Sequence, residues 1–224
     1  MSDKHFLPLP YGKNGYEEIR NGGCYYVDKT PYIKTLIDTD KSAVMLFTRP
    51  RRFGKTVFMS TLNSFLKINK ENPSDTSEQL RLFEGTQILK DTEFCEKYMG
   101  KYPVIFITLK SVDGDNFEDA YKMFADTVWE VASEYKYLLE SSKLDAEDKD
   151  KLKKLSDISF LRLFENSDYL TGALNTLSAL LYKEYGKLPV LLIDEYDVPL
   201  AKASYHDLLK YRDYTGKIDA NNTY

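Results

Sequence analysis

Short apolar runs punctuate the chain at residues 43–47, 104–109 and 190–193, each bounded by polar or turn-forming residues. Runs of this length without alternation read as strands buried on both faces of a parallel sheet. Between them the apolar positions fall into a helical period. Phe58, Leu62 and Phe65 share one face of a predicted helix over residues 55–68, turned toward the sheet. Phe117, Phe124, Val128, Val131, Tyr135 and Leu138 line a longer amphipathic helix over residues 117–139. Leu170, Leu174, Leu177 and Leu181 mark another helix ahead of the last strand. Thr30 and Pro31 fit the N-cap and first position of a helix running to Ile37.

The segments between these elements are plainer. Residues 7–23 read as an irregular arm, 25–27 as a short β-like piece and 71–78 as a loop. Residues 143–157 are dense in alternating charge and read as a solvated helix or a linker. No internal repeat or low-complexity tract interrupts the pattern. Strands alternating with helices define an α/β fold, a parallel sheet joined by helical crossovers.

The first apolar run leads straight into Arg49-Pro50-Arg51-Arg52-Phe53-Gly54-Lys55-Thr56, and the predicted helix begins there. A strand, a tight turn with Gly-Lys-Thr and a helix start form the context that a phosphate-binding loop requires. Successive backbone N–H groups and the helix N-terminus attract the negative phosphates. In this reading Lys55 reaches the β- and γ-phosphates and the Thr56 hydroxyl holds Mg²⁺. Arg49, Arg51, Arg52, Phe53 and Gly54 complete the nucleotide-binding segment. The general pattern G-x-x-x-x-G-K-[ST] has glycine where Arg49 stands. The arginine cluster is either a solvated turn or a set of guanidiniums gripping phosphate oxygens in bidentate fashion, with a nucleic-acid phosphate left open as partner.

The last apolar run ends in Asp194 and Glu195. A carboxylate at the end of such a strand can orient Mg²⁺ through its water shell, which is the role expected of Asp194. The next one, Glu195, can polarise the water that displaces the γ-phosphate in line. The plainer alternative is a pair of carboxylates that caps a strand and enters a polar turn.

Together these motifs resemble the bacterial AAA-ATPase-like family, whose ATPase domain is usually followed by a restriction-like nuclease domain. The resemblance spans roughly residues 7–202 and is carried by several segments. Leu9-Pro10-Tyr11-Gly12 is similar to the family's opening, and Tyr26-Val27-Asp28-Lys29-Thr30 to its segment before the first helix. The loop with arginine at position 49 is similar to the family's own variant. Leu82-Phe83-Glu84-Gly85, Tyr102-Pro103-Val104-Ile105 and Asp194-Glu195-Tyr196-Asp197-Val198-Pro199-Leu200 also match. The resemblance implies a P-loop NTPase-like sheet, with ATP and Mg²⁺ as cofactors.

Composition narrows the class without changing it. Hydrophobic residues make up 42% of the 224, which argues against disorder, and no apolar run approaches a membrane span. Met1-Ser2-Asp3-Lys4-His5 has no apolar signal core, so the expected location is cytoplasmic. Cys24 and Cys95 are far apart and read as free thiols, and the isolated His5 and His206 suggest no metal site. A net charge of −4 disfavours a nucleic-acid groove over the whole surface. An oligomer or a partner protein stays open.

The expected organisation is an arm and first helix over residues 1–41, a P-loop ATPase-like domain over 42–203 and a divergent tail over 204–224. In the P-loop class implied, further strands follow the Asp-Glu strand, and residues 205–224 are short of apolar positions. The sheet is therefore expected to be incomplete, with the strand at 43–47 lacking its usual neighbours, as in a C-terminally truncated ATPase. Arg212 is the sole arginine after Arg162, so no clear γ-phosphate sensor is visible. Three functions compete: an ATP-binding module with weak hydrolysis, a non-catalytic remnant or interaction module, and a helicase-like ATPase fragment suggested by Asp194-Glu195-Tyr196-Asp197. No Ser-Ala-Thr-like motif follows to support the last, and no Asn/Thr-Lys-x-Asp guanine reader is present, which favours adenine.

Overall fold

The computed structural model describes residues 7–37, 44–48, 53–114, 116–199 and 201. Its helices are α1 (Tyr16–Asn21), α2 (Pro31–Ile37), α3 (Lys55–Leu66), α4 (Ser77–Leu82), α5 (Thr92–Tyr98), α6 (Phe117–Ser133), α7 (Ala146–Leu155), α8 (Ile158–Leu161), α9 (Ser167–Thr171) and α10 (Ala173–Tyr185). Strand β1 (Val104–Thr108) lies between α5 and α6, and β2 (Val190–Asp194) follows α10. The two strands are neighbours in one small sheet and run parallel. The Val190 N–H donates to the Pro103 carbonyl at 2.9 Å, and the Leu109 N–H donates to the Asp194 carbonyl at 3.0 Å. The fold is thus mixed α/β, as expected, with many helices and a small parallel sheet.

The chain divides into two compact units, Met1–Val104 with Tyr185–Leu192, and Ile105–Glu184 with Ile193–Tyr224. In the first unit the core forms around α3, whose Phe58, Leu62, Phe65 and Leu66 are buried. The predicted face is therefore the inner face. The helix stops two residues short of expectation because Lys67 enters a parallel bridge with Tyr102, where the Ile68 N–H donates to the Tyr102 carbonyl at 2.8 Å.

The expected arm over residues 7–23 contains helix α1, a correction with a clear cause. Tyr16 and Ile19 lie one turn apart and are both buried, while Glu17 and Glu18 occupy the first turn, where the helix dipole favours acids. The Tyr16 hydroxyl donates to the Leu82 carbonyl at 3.0 Å, and its ring packs 4.7 Å from that of Phe83. Burial pushes the Tyr16 phenol far above its ordinary pKa, so it stays a donor. Residues 25–27 form no strand; the Tyr25 N–H bonds the Pro8 carbonyl at 2.8 Å instead.

The strand expected over residues 43–47 does not form over its described part, 44–47. Val44 is 82% exposed and Leu46 66%. A strand exists only through its ladder to a neighbour, and among the described residues the sheet ladder joins β1 and β2.

The second unit is helical apart from its strand residues. Val128, Val131, Tyr135 and Leu138 are buried as the apolar stripe predicts, but Phe117 is 71% exposed. It begins α6 and packs at the surface against Tyr121 with the rings tilted and against Phe164 edge to face. The helix is also shorter than expected, giving way after Ser133 to a 3₁₀ turn over Lys136–Glu140. The charged segment 143–157 is not a solvated linker. It forms α7, opened by a capping box between Asp145 and Asp148, and buries Leu144, Leu152 and Leu155. Asp148 is buried too, held by the Lys183 ammonium at 2.6 and 2.7 Å. The helix expected around Leu170–Leu181 is two helices, α9 and α10, parted at Gly172.

Strand β1 buries Val104, Ile105 and Ile107, in keeping with its unbroken apolar run. β2 departs from expectation. Leu192 and Asp194 are buried while Leu191 and Ile193 are exposed, so one face is covered where two were predicted.

Candidate functional site

Two motif-bearing segments stand out, and each is described within its own unit. In the first, Gly54 sits at the N-cap of α3 with φ 75° and ψ 34°. This left-handed conformation costs an L-residue with a Cβ about 1–2 kcal/mol, so glycine is the residue that lets the chain turn abruptly into the helix. The Phe58 N–H donates to the Gly54 carbonyl at 3.0 Å and closes the first turn. The earliest N–H groups of any helix have no acceptor within it, and the dipole adds partial positive charge there. Lys55 and Thr56 begin the helix half-buried, and neither side chain has a hydrogen-bond partner among the described residues. Phe53 is exposed. Arg49, Arg51 and Arg52 lie outside the described residues.

A residue that the sequence reading did not assign to the site joins it here. The Lys29 ammonium donates to the Phe53 carbonyl at 2.7 Å. Its neighbours in the Tyr26–Thr30 segment explain how it gets there. The Asp28 carboxylate accepts from the Thr30 N–H at 2.9 Å, the Thr30 hydroxyl at 2.7 Å and the Gln87 N–H at 2.8 Å. The Thr30 hydroxyl in turn accepts from the Ile88 N–H at 3.2 Å. Asp28 and Thr30 thus fix the backbone from which Lys29 reaches the loop. A cleft of about 190 Å³ opens beside it, lined by Lys29, Tyr32, Phe47, Phe53, Gly54 and Phe58. The available sequence signal was the Tyr26–Thr30 motif itself, in which Lys29 is the one charged residue not consumed by the scaffold.

The second segment is the end of β2. Asp194 is 5% exposed, and its Oδ2 is buried with no hydrogen-bond partner among the described residues. A carboxylate oxygen left in that state costs several kcal/mol unless a cation or a donor meets it. The donor chemistry therefore fits a hard divalent cation or its water shell. Glu195 follows at φ 54°, the one non-glycine residue with positive φ among those described. Strain of this kind is worth about 1–3 kcal/mol and concentrates at functional sites. It turns the chain from the strand into a short helical turn, where the Val198 N–H donates to the Glu195 carbonyl at 3.1 Å and the Ala201 N–H to that of Asp197 at 2.9 Å. Glu195 is half-buried and Asp197 exposed.

The structure therefore groups Phe53, Gly54, Lys55 and Thr56 at one helix start, with Lys29, and Asp194 with Glu195 at one strand end. Among the described residues no three His, Cys, Asp or Glu side chains gather as a metal cluster, and no helix is long and apolar enough to cross a membrane. Cys24 and Cys95 are free, and burial raises the Cys95 thiol above its ordinary pKa, which keeps it in the unreactive protonated form.

No solved structure matches the chain. An uncharacterized protein in the vnfD 5′ region of Azotobacter chroococcum mcd 1 is 36% identical over 81 residues, a stretch that covers 36% of this chain and 13% of that protein. The family described as "Predicted AAA-ATPase" matches residues 10–218, from the Pro10 turn through the Asp28 scaffold, the Gly54 turn and the Asp194 strand end, and the chain belongs to that family.

Proposed function

We propose that this chain binds ATP with Mg²⁺ at the start of α3 and that Glu195 serves hydrolysis of the terminal phosphoanhydride. The observation that carries the reading is the left-handed Gly54 turn at the N-cap of α3, followed by two polar side chains, Lys55 and Thr56, with no partner among the described residues. Helix-start N–H groups and the Lys55 ammonium suit the β- and γ-phosphates. The Thr56 hydroxyl suits the metal, and the Asp194 carboxylate, whose Oδ2 has no partner among the described residues, suits its water shell. Arg49, Arg51 and Arg52 add positive charge along the loop. Glu195 orients the attacking water and takes its proton. Phosphoryl transfer asks for little covalent chemistry from the protein and much positioning, which is what these residue types supply.

Calorimetry with ATP, with and without Mg²⁺, tests this directly. The wild-type chain is expected to bind, and Lys55→Ala to weaken binding at least tenfold. A charge-assisted hydrogen bond to phosphate is worth about 1.5–3 kcal/mol, and each ~1.4 kcal/mol is a factor of ten. Equal affinity in wild type and variant would retire the loop as a phosphate site.

A further inference from the structure

We infer that Lys29 is a positioning residue for the phosphate loop, holding the Phe53–Gly54 peptide so that the Gly54 N–H faces away from it. The inference rests on the nucleotide reading above and adds to it a residue outside the Gly-Lys-Thr motif. Among the described residues no peptide bond is cis, and a trans peptide is planar, with its C=O and N–H pointing in opposite directions. Fixing the Phe53 carbonyl therefore fixes the Gly54 N–H, one of the groups a phosphate loop uses. Such a fixture is needed here, because glycine next to the plane leaves it freer to flip than any other residue would. A charge-assisted bond of 2.7 Å from the Lys29 ammonium supplies it.

Three features mark this contact as built in. Thr30 is fully buried and Asp28 binds three donors, so the backbone on both sides of Lys29 is anchored to Gln87 and Ile88. A Cβ on Gly54 would lie 3.1 Å from the Lys29 nitrogen, so any side chain there would push the ammonium back by a few tenths of an ångström. Finally, no carboxylate neutralises Lys29 among the described residues, and its charge adds to the attraction for an anion at the loop.

The test compares wild type, Lys29→Met, Lys29→Arg and Lys55→Ala. Calorimetry uses two probes, Mg–ATP and Mg–tripolyphosphate, and thermal unfolding is followed alongside. Lys29→Met is expected to weaken both probes about five- to tenfold, a modest loss because the contact is exposed, with Tm within about 2 °C of wild type. Lys29→Arg keeps the charge and the donor and is expected to recover most of the affinity. The Gly54 amide resonance should move in Lys29→Met and return toward its wild-type position in Lys29→Arg. Wild-type affinity of Lys29→Met for both probes overturns the inference while leaving the nucleotide reading intact, provided Lys55→Ala loses binding. A deficit seen with ATP alone assigns Lys29 to the nucleoside and overturns it too. A large fall in Tm with no rescue by arginine makes Lys29 a merely structural residue. Absence of binding to either probe by wild type removes the nucleotide reading and the inference together.

Discussion

The run over residues 43–47, described from 44 on, and β2 are alike on paper: each is a short apolar run that leads into a motif with chemistry. Only β2 is a strand. It has β1 beside it, with the Val190 N–H donating to the Pro103 carbonyl and the Leu109 N–H to the Asp194 carbonyl, whereas residues 44–48 take no strand conformation. The helix after the first run forms all the same, because α3 satisfies its backbone internally and buries Phe58, Leu62 and Phe65. The difference lies in which half of the segment around Gly54 is locally encoded. Its helical half is, and its strand half is not. The described contacts that steady that strand half are tertiary ones: Lys29 on the Phe53 carbonyl, and the Phe47 ring 5.2 Å from that of Phe58.

The largest effect should appear in β2. Leu192→Ala removes a buried side chain from the paired strand and should cost about 2–4 kcal/mol, read as a lower denaturant midpoint at unchanged slope. A loss below 1 kcal/mol would mean that β2 is no better packed than residues 44–48, and the contrast would vanish.

The same local-versus-tertiary division explains what was legible in the sequence. The start of α2 at Pro31 and the buried face of α3 were readable, since period and capping residues act within a few positions, while β1 and β2 were readable as apolar runs, a signal they share with the run that forms no strand. Helix α7 was readable as one of two alternatives but its buried face was not, because its charged surface hides a narrow stripe of Leu152 and Leu155, and Asp148 is buried against a lysine 35 residues away. The coverage of β2 on one face was not readable either, since an apolar run says nothing about what lies over it. At the candidate site the glycine turn and the strand-end acids were legible as types. Lys29 was not, because its partner is a backbone carbonyl 24 residues away. No side-chain pattern announces such a bond.

The strained turn after β2 sharpens the comparison from the functional side. Glu195→Gly relieves a positive φ and should raise stability by about 0.5–1 kcal/mol, net of the greater freedom glycine has when unfolded. The same variant should lose phosphate release from ATP, as should Glu195→Gln, which keeps the side chain's size and removes the base. A gain in stability without loss of turnover would leave Glu195 a turn residue and nothing more. Two assays on the same samples, denaturant unfolding and phosphate release, separate these outcomes.

The smallest expected effect is the most searching one. Leu46→Ala is the same chemical change as Leu192→Ala, made in a run of similar composition. Hydrophobic destabilisation follows the area removed from water, roughly 25 cal/mol per Å², and the cavity left behind adds to it only where neighbours enclose the side chain. Leu46 is 66% exposed, so little area is lost and no cavity forms. Its loss should stay within about 0.5 kcal/mol, as for other surface substitutions away from caps and networks. A cost near that of Leu192→Ala would show Leu46 enclosed by neighbours, as a side chain in a paired, covered strand would be. The strand expected over residues 43–47 would then stand, and the proposed phosphate loop would be held from both sides by regular structure. A cost near zero leaves the helix start at Gly54, with Lys29 beside it, as the fixed part of the loop.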